Sequence, residues 1–152
     1  IGGIVTTVCQ QCLPVHHGLL IASSWLREKR VETVILISVD ELTSVVKYYA
    51  NRTNSVKRHG EGAAAFVLQE GCDRAEFCLG SPVFDDKFID EDKNKVRDCK
   101  TLEVESITGF FPTSFSFELI AKMYSMKPGN SESYVLKQNS RYSTIHIHRR
   151  NV

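Results

Sequence analysis

The chain has 152 residues, about one domain's worth, with 42% hydrophobic and 24% charged residues. A chain of this size buries roughly two thirds of its unfolded surface, so its core needs no disulfide or metal. Nineteen basic against eighteen acidic residues leave a formal charge of +1, which argues against nucleic acid as a partner and against intrinsic disorder, and no apolar run reaches the ~18 residues of a membrane span.

Five cysteines, an odd number, point to reduced thiols and a cytoplasmic setting. The chain opens on Ile1 without the charged start of a signal peptide, so the expectation is a processed terminus or a piece of a longer chain.

Ile4-Val5-Thr6-Thr7-Val8 is a β-branched run that reads as a buried strand. Cys9-Gln10-Gln11-Cys12-Leu13-Pro14 follows as a strand-to-helix turn, with Pro14 suited to the first helical turn. Val15, Leu19, Ala22 and Leu26 recur at helical spacing and predict a buried helix ending near Arg27-Glu28-Lys29-Arg30. Val34-Ile35-Leu36-Ile37 has the look of a central strand covered on both faces. Residues 42–60 are mixed and polar. Gly60-Glu61-Gly62-Ala63-Ala64-Ala65 leads into a strand through Leu68, and its small residues imply close backbone approach to a neighbour. Ala75 to Leu79 reads as one more strand.

Residues 85–100 are charge-rich and read as an exposed connector. The order then repeats: a strand over Leu102–Ile107, a turn at Gly109-Phe110-Phe111-Pro112, a helix over Thr113–Ser125, and strands over Ser133–Leu136 and Ser143–His148 around Asn139-Ser140-Arg141. Each half thus reads strand, helix, strand, strand.

Four features of this pattern belong together. A cysteine, Cys12, opens a buried helix after a strand. The strand from Val34 ends in Asp40-Glu41, and an ungapped count back from that pair selects Cys12 rather than Cys9. Gly60-Glu61-Gly62-Ala63-Ala64-Ala65-Phe66-Val67-Leu68 matches a G-[DE]-G-A-A-A-x-V-L strand. Thr108-Gly109, a helix and a hairpin at Asn139-Ser140 follow in that order. In these features the chain resembles the thiolase superfamily and, within it, the β-ketoacyl synthases. The resemblance implies an α/β, thiolase-like fold of two related βαββ halves, with buried helices packed between mixed sheets. It implies a single domain over 1–152, with halves at about 1–84 and 101–152 joined by the charged connector. The strand–helix segments that open each family half have no counterpart here.

The resemblance assigns Cys12 as the candidate nucleophile that takes an acyl group from a carrier thioester. A helix N-terminus lowers a thiol's pKa because its orphan N–H groups favour the anion; a small buried hydrophobe is the other reading of a free cysteine. Asn139 is the weaker catalytic candidate, and Gly60, Gly62 and Gly109 are motif positions. The family's H-G-T-x-T motif is absent. Its T-G-H becomes Thr108-Gly109-Phe110, and phenylalanine neither donates a hydrogen bond nor carries charge. Its glycine-rich N-S-F-G-F-G-G hairpin, which supplies an oxyanion-hole N–H, becomes Asn139-Ser140-Arg141-Tyr142.

Scaffold signals thus persist where catalytic ones fade. The expectation is a β-ketoacyl-synthase-like, non-catalytic subunit of fatty-acid or polyketide-type biosynthesis, similar to chain-length factors. If active, it would be an acyltransferase of the condensing type. The implied partners are a homo- or heterodimeric ketosynthase-type subunit, met through Ile4–Val8, and an acyl carrier protein or acyl-CoA. Neither nucleic acid nor membrane is expected, nor a cofactor or metal.

Two rivals come from the residues themselves. Cys9-x-x-Cys12 after a strand and opening a helix fits a thiol redox site. Cys9, Cys12, His16 and His17 are potential zinc ligands, although adjacent histidines point to different helix faces. His146 and His148 share one side of a strand and read as metal ligands, a pH sensor or a solvated face.

Overall fold

The computed structural model describes residues 3–8, 14–41, 43–44, 47–48, 52, 60–71, 75–85, 115–138 and 141–151. Helix α1 spans Pro14–Arg27, followed by strands β1 (Val34–Asp40), β2 (Gly62–Leu68), β3 (Phe77–Leu79) and β4 (Val83–Asp85). Helix α2 spans Phe115–Ser125 and leads into β5 (Ser131–Gln138) and β6 (Arg141–Arg149). The order helix–strand–strand therefore occurs twice, as α1–β1–β2 and α2–β5–β6.

Helix α1 begins at Pro14, which fits the first turn because its missing N–H would have no partner there. It ends in a Schellman arrangement: Arg30 N–H donates to the Trp25 carbonyl and Lys29 N–H to the Leu26 carbonyl, both at 2.9 Å. Lys29 takes the left-handed position, φ 54°, where glycine is usual. Gly18 faces β1 so closely that an added Cβ would lie 2.7 Å from Leu36 Cδ1. The absence of a side chain at Gly18 leaves room for the Leu36 side chain, which lets α1 settle on the sheet.

β1 and β2 pair antiparallel, from Val34 opposite Leu68 to Asp40 opposite Gly62. In the second sheet β6 is central. It pairs antiparallel with β5 along one edge, and with β3 and then β4 along the other. Every pairing among the described residues is antiparallel. Segment 77–85, at the end of the first half in sequence, therefore joins the sheet of the second.

Both helices touch both sheets. From α1, Gly18 meets Leu36, His16 stacks near Tyr134, His17 packs on Phe84 at 4.5 Å between centroids, and Ser23 bonds Ser81. From α2, Ser116 bonds Ser38, Lys122 pairs with Glu132, and Tyr124 meets Phe77 edge-on at 5.3 Å. The core so enclosed contains Val15, Leu19, Phe66, Leu119, Met126, Tyr134, Ile145 and Ile147. Arg149 fastens the end of α2: its guanidinium donates to the Met126 carbonyl at 2.6 Å, pairs with Glu76 at 2.7 Å and lies 5.3 Å from the Phe77 ring centre.

Two expectations are corrected. Ile4–Val8 is not a buried strand: residues 3–8 have no regular structure and Val5 is 90% exposed. β-Branched propensity builds a strand only where a neighbour takes up its backbone groups and side chains. Nor is Val34–Ile37 covered on both faces. Leu36 and Ser38 face the helices, whereas Ile35, Ile37, Val39 and Val67 are 61–70% exposed on an apolar outer face. A continuous apolar run alone does not tell which faces have a neighbour. Asp85 belongs to β4, so the charged connector starts no earlier than 86. The rest of the connector and the expected strand Leu102–Ile107 lie outside the described residues. Among the described residues no helix is long and apolar enough to cross a membrane.

Candidate active site

The head of α1 sets Val15 in the core and packs His16 on Tyr134 and His17 on Phe84 of the second sheet, within one turn of Gly18, which meets the first. α1 runs forward and the chain returns along β1, with Gly18 over Leu36. The helix head therefore faces the end of the first sheet at which Ser38, Asp40 and Gly62 sit. Gly62 opens β2 opposite Asp40, and Gly60 is half-buried just before it.

Behind the helix head lies a set of buried polar groups drawn from both halves. Ser38 on β1 and Ser116 on α2 share a hydroxyl–hydroxyl bond of 2.6 Å. Tyr134 on β5 donates its hydroxyl to Glu118 Oε2 at 2.9 Å. His16, 1% exposed, stacks on Tyr134 with centroids 6.1 Å apart and planes inclined by 23°. Neither ring nitrogen of His16 has a hydrogen-bond partner among the described residues. Burial, helped by the neighbouring His17, pushes its pKa down from 6.5 to about 4. His16 is therefore a neutral imidazole at physiological pH and does not supply a positive charge to the site.

Cys12 and Cys9, Asn139 and Gly109 lie outside the described residues. In sequence, Cys12 stands two positions before the first residue of α1, and Asn139 lies between the paired Gln138 and Arg141. The adjacent histidines diverge, His16 onto Tyr134 and His17 onto Phe84, so the two do not act as neighbouring zinc ligands. Glu118, Tyr134, Ser116 and Gly18 escaped sequence reading. A signal existed for His16, which falls beside the stripe Val15–Leu19–Ala22–Leu26. None existed for the pairing of Glu118 with Tyr134, sixteen residues apart.

A family model for 3-oxoacyl-[acyl-carrier-protein (ACP)] synthase III matches residues 7–86, just over half of the chain. The chain belongs to the 3-oxoacyl-[acyl-carrier-protein] synthase III family. The match covers α1, β1, β2, β3 and β4, and with them positions 12, 60 and 62; it stops before Gly109 and Asn139. The match makes the chain a β-ketoacyl-synthase-like relative of fatty-acid biosynthesis, and two helices enclosed by two sheets agree with the α/β, thiolase-like architecture of that family. No curated protein and no solved structure matches the chain.

Proposed function

We propose that this chain is a ketosynthase-like subunit that does not itself condense: a partner that shapes an acyl-binding site in fatty-acid or polyketide-type assembly. The carrying observation is Phe110 after Thr108-Gly109, where the family has a histidine. Decarboxylating a malonyl thioester develops negative charge that donors must meet. A phenyl ring provides none, these 152 residues contain no H-G-T-x-T segment, and Asn139-Ser140 is followed by Arg141-Tyr142 rather than glycine. His16, the buried imidazole at the helix head, does not compensate: it carries no charge and its ring is enclosed against Tyr134.

A ketosynthase-type partner subunit is supported by the exposed β-branched residues Ile4 and Val5 and by the apolar outer face of β1–β2, since such surface on a soluble protein marks contact. An acyl carrier protein or acyl-CoA is the proposed source of the acyl group. The alternative, an active condensing enzyme, draws on one observation: α1 begins at Pro14, two positions after Cys12 in sequence, and orphan N–H groups at a helix start would favour a thiolate.

Incubation of the whole chain with an acyl-CoA or acyl-carrier thioester, followed by intact mass, separates the two. The proposed reading expects no stable acyl adduct. An adduct that disappears in Cys12→Ser supports the active enzyme instead.

A further inference from the structure

We propose that His146 and His148 form a two-imidazole binding site for a divalent transition-metal ion on the outer face of the second sheet. They stand two residues apart on β6, so their side chains leave the strand on the same face, about 7 Å apart along it. Ile145 and Ile147 fill the opposite, core face, and this fixes the register, because a slip of one residue would bury both imidazoles. Both histidines are exposed.

Their support comes from β5. The ladder sets Ser133 opposite His146 and Ser131 opposite His148. Each serine hydroxyl is hydrogen-bonded to the facing Nδ1, at 2.8 Å for His146 and 2.9 Å for His148. In the tautomer whose Nδ1–H donates to the serine oxygen, Nε2 carries the lone pair. Neither Nε2 has a protein partner among the described residues. A hydrogen bond that fixes one ring nitrogen and leaves the other open is the support that metal-binding imidazoles use. Here it occurs twice in register.

The donor set selects the ion. Two imidazoles without a carboxylate suit Ni²⁺, Cu²⁺ and Zn²⁺ rather than Mg²⁺ or Ca²⁺. No three His, Cys, Asp or Glu groups among the described residues converge as a metal site, so the protein gives two ligands and water completes the shell. Cys78 faces His148 from β3 and is exposed. Ser131 draws the imidazole toward β5, on the other flank, and this leaves the thiol out of the ligand set. Arg150, next along that face, weakens binding by like charge. Binding displaces water only, with no bond made or broken in the protein.

The test titrates the full chain carrying Cys9→Ser and Cys12→Ser with Ni²⁺ and with Zn²⁺ by calorimetry. Imidazole ¹H–¹⁵N spectra with Zn²⁺ are recorded on this variant and on the unsubstituted chain. We expect one ion per chain and no response to Mg²⁺. His146→Ala and His148→Ala should each cost at least about tenfold in affinity, and Ser131→Ala and Ser133→Ala about tenfold. Cys78→Ser should leave affinity unchanged. Zn²⁺ should shift the Nε2 resonances of His146 and His148 in both chains, which keeps the test valid if the double serine variant misfolds. Binding that survives loss of both histidines, or that is indifferent to both serines, overturns the proposal. So does a Cys78→Ser loss as large as a histidine's, or no response at millimolar Ni²⁺.

Discussion

The ring of His16 on α1 lies against the ring of Tyr134 on β5, with centroids 6.1 Å apart and planes nearly parallel. This contact ties the helix of the first half to the sheet of the second, and it keeps His16 away from water. The pH dependence of stability follows from that burial. Above pH 6.5, His16 is neutral folded or unfolded, and its contribution is complete. As pH falls from 6.5 toward about 4, the unfolded chain takes up a proton that the folded chain refuses, so stability declines. The loss from this group approaches about 3 kcal/mol and levels off below pH 4. Urea unfolding at a series of pH values, repeated on His16→Leu, measures it: the variant should lose most of the slope between pH 4 and 6.5.

Lys29 holds a backbone conformation that glycine adopts without cost. Lys29→Gly should therefore stabilise the protein by about 0.5–1 kcal/mol, the left-handed penalty being relieved at the helix terminus. A higher urea midpoint with an unchanged slope is the expected reading.

The β1–β2 sheet presents two unequal faces. Leu36 is enclosed beneath α1 at Gly18, whereas Ile37 points outward. Leu36→Ala should cost about 2–4 kcal/mol, and Ile37→Lys less than about 1 kcal/mol in the isolated chain. If the outer face is a subunit contact, Ile37→Lys should also abolish association with a ketosynthase-type partner in sedimentation experiments.

At the α1–β1 contact, Gly18→Ala should fall within about 1 kcal/mol of the parent, since helix propensity gained offsets pressure on a Leu36 methyl that can rotate away. Gly18→Leu cannot be accommodated so, and should cost about 2 kcal/mol or more by overpacking. Thermal unfolding of the two variants side by side checks the difference.

Much of the fold was legible because its signals are local. Pro14 and the stripe from Val15 to Leu26 marked α1, Gly62–Leu68 marked β2, and the alternation around Ile145 and Ile147 marked β6. What stayed hidden depends on neighbours. Ile35 and Leu36 are equally apolar, and only the placement of α1 leaves one outside and one inside. Val5 has strong strand propensity but no described strand beside it. At the site, the identity of Cys12 as candidate came from its position before a helix and its distance from Asp40. The Glu118–Tyr134 and Ser38–Ser116 bonds join residues that chain order leaves far apart, and no spacing rule links them.

The claim on which the account turns is that the family scaffold persists without condensing chemistry. Release of carbon dioxide from a malonyl-carrier thioester, measured with the whole chain in the presence of an acyl thioester, tests it most directly. The account expects release no faster than in the absence of protein. Turnover that depends on Cys12, with a 3-oxoacyl product, would contradict it.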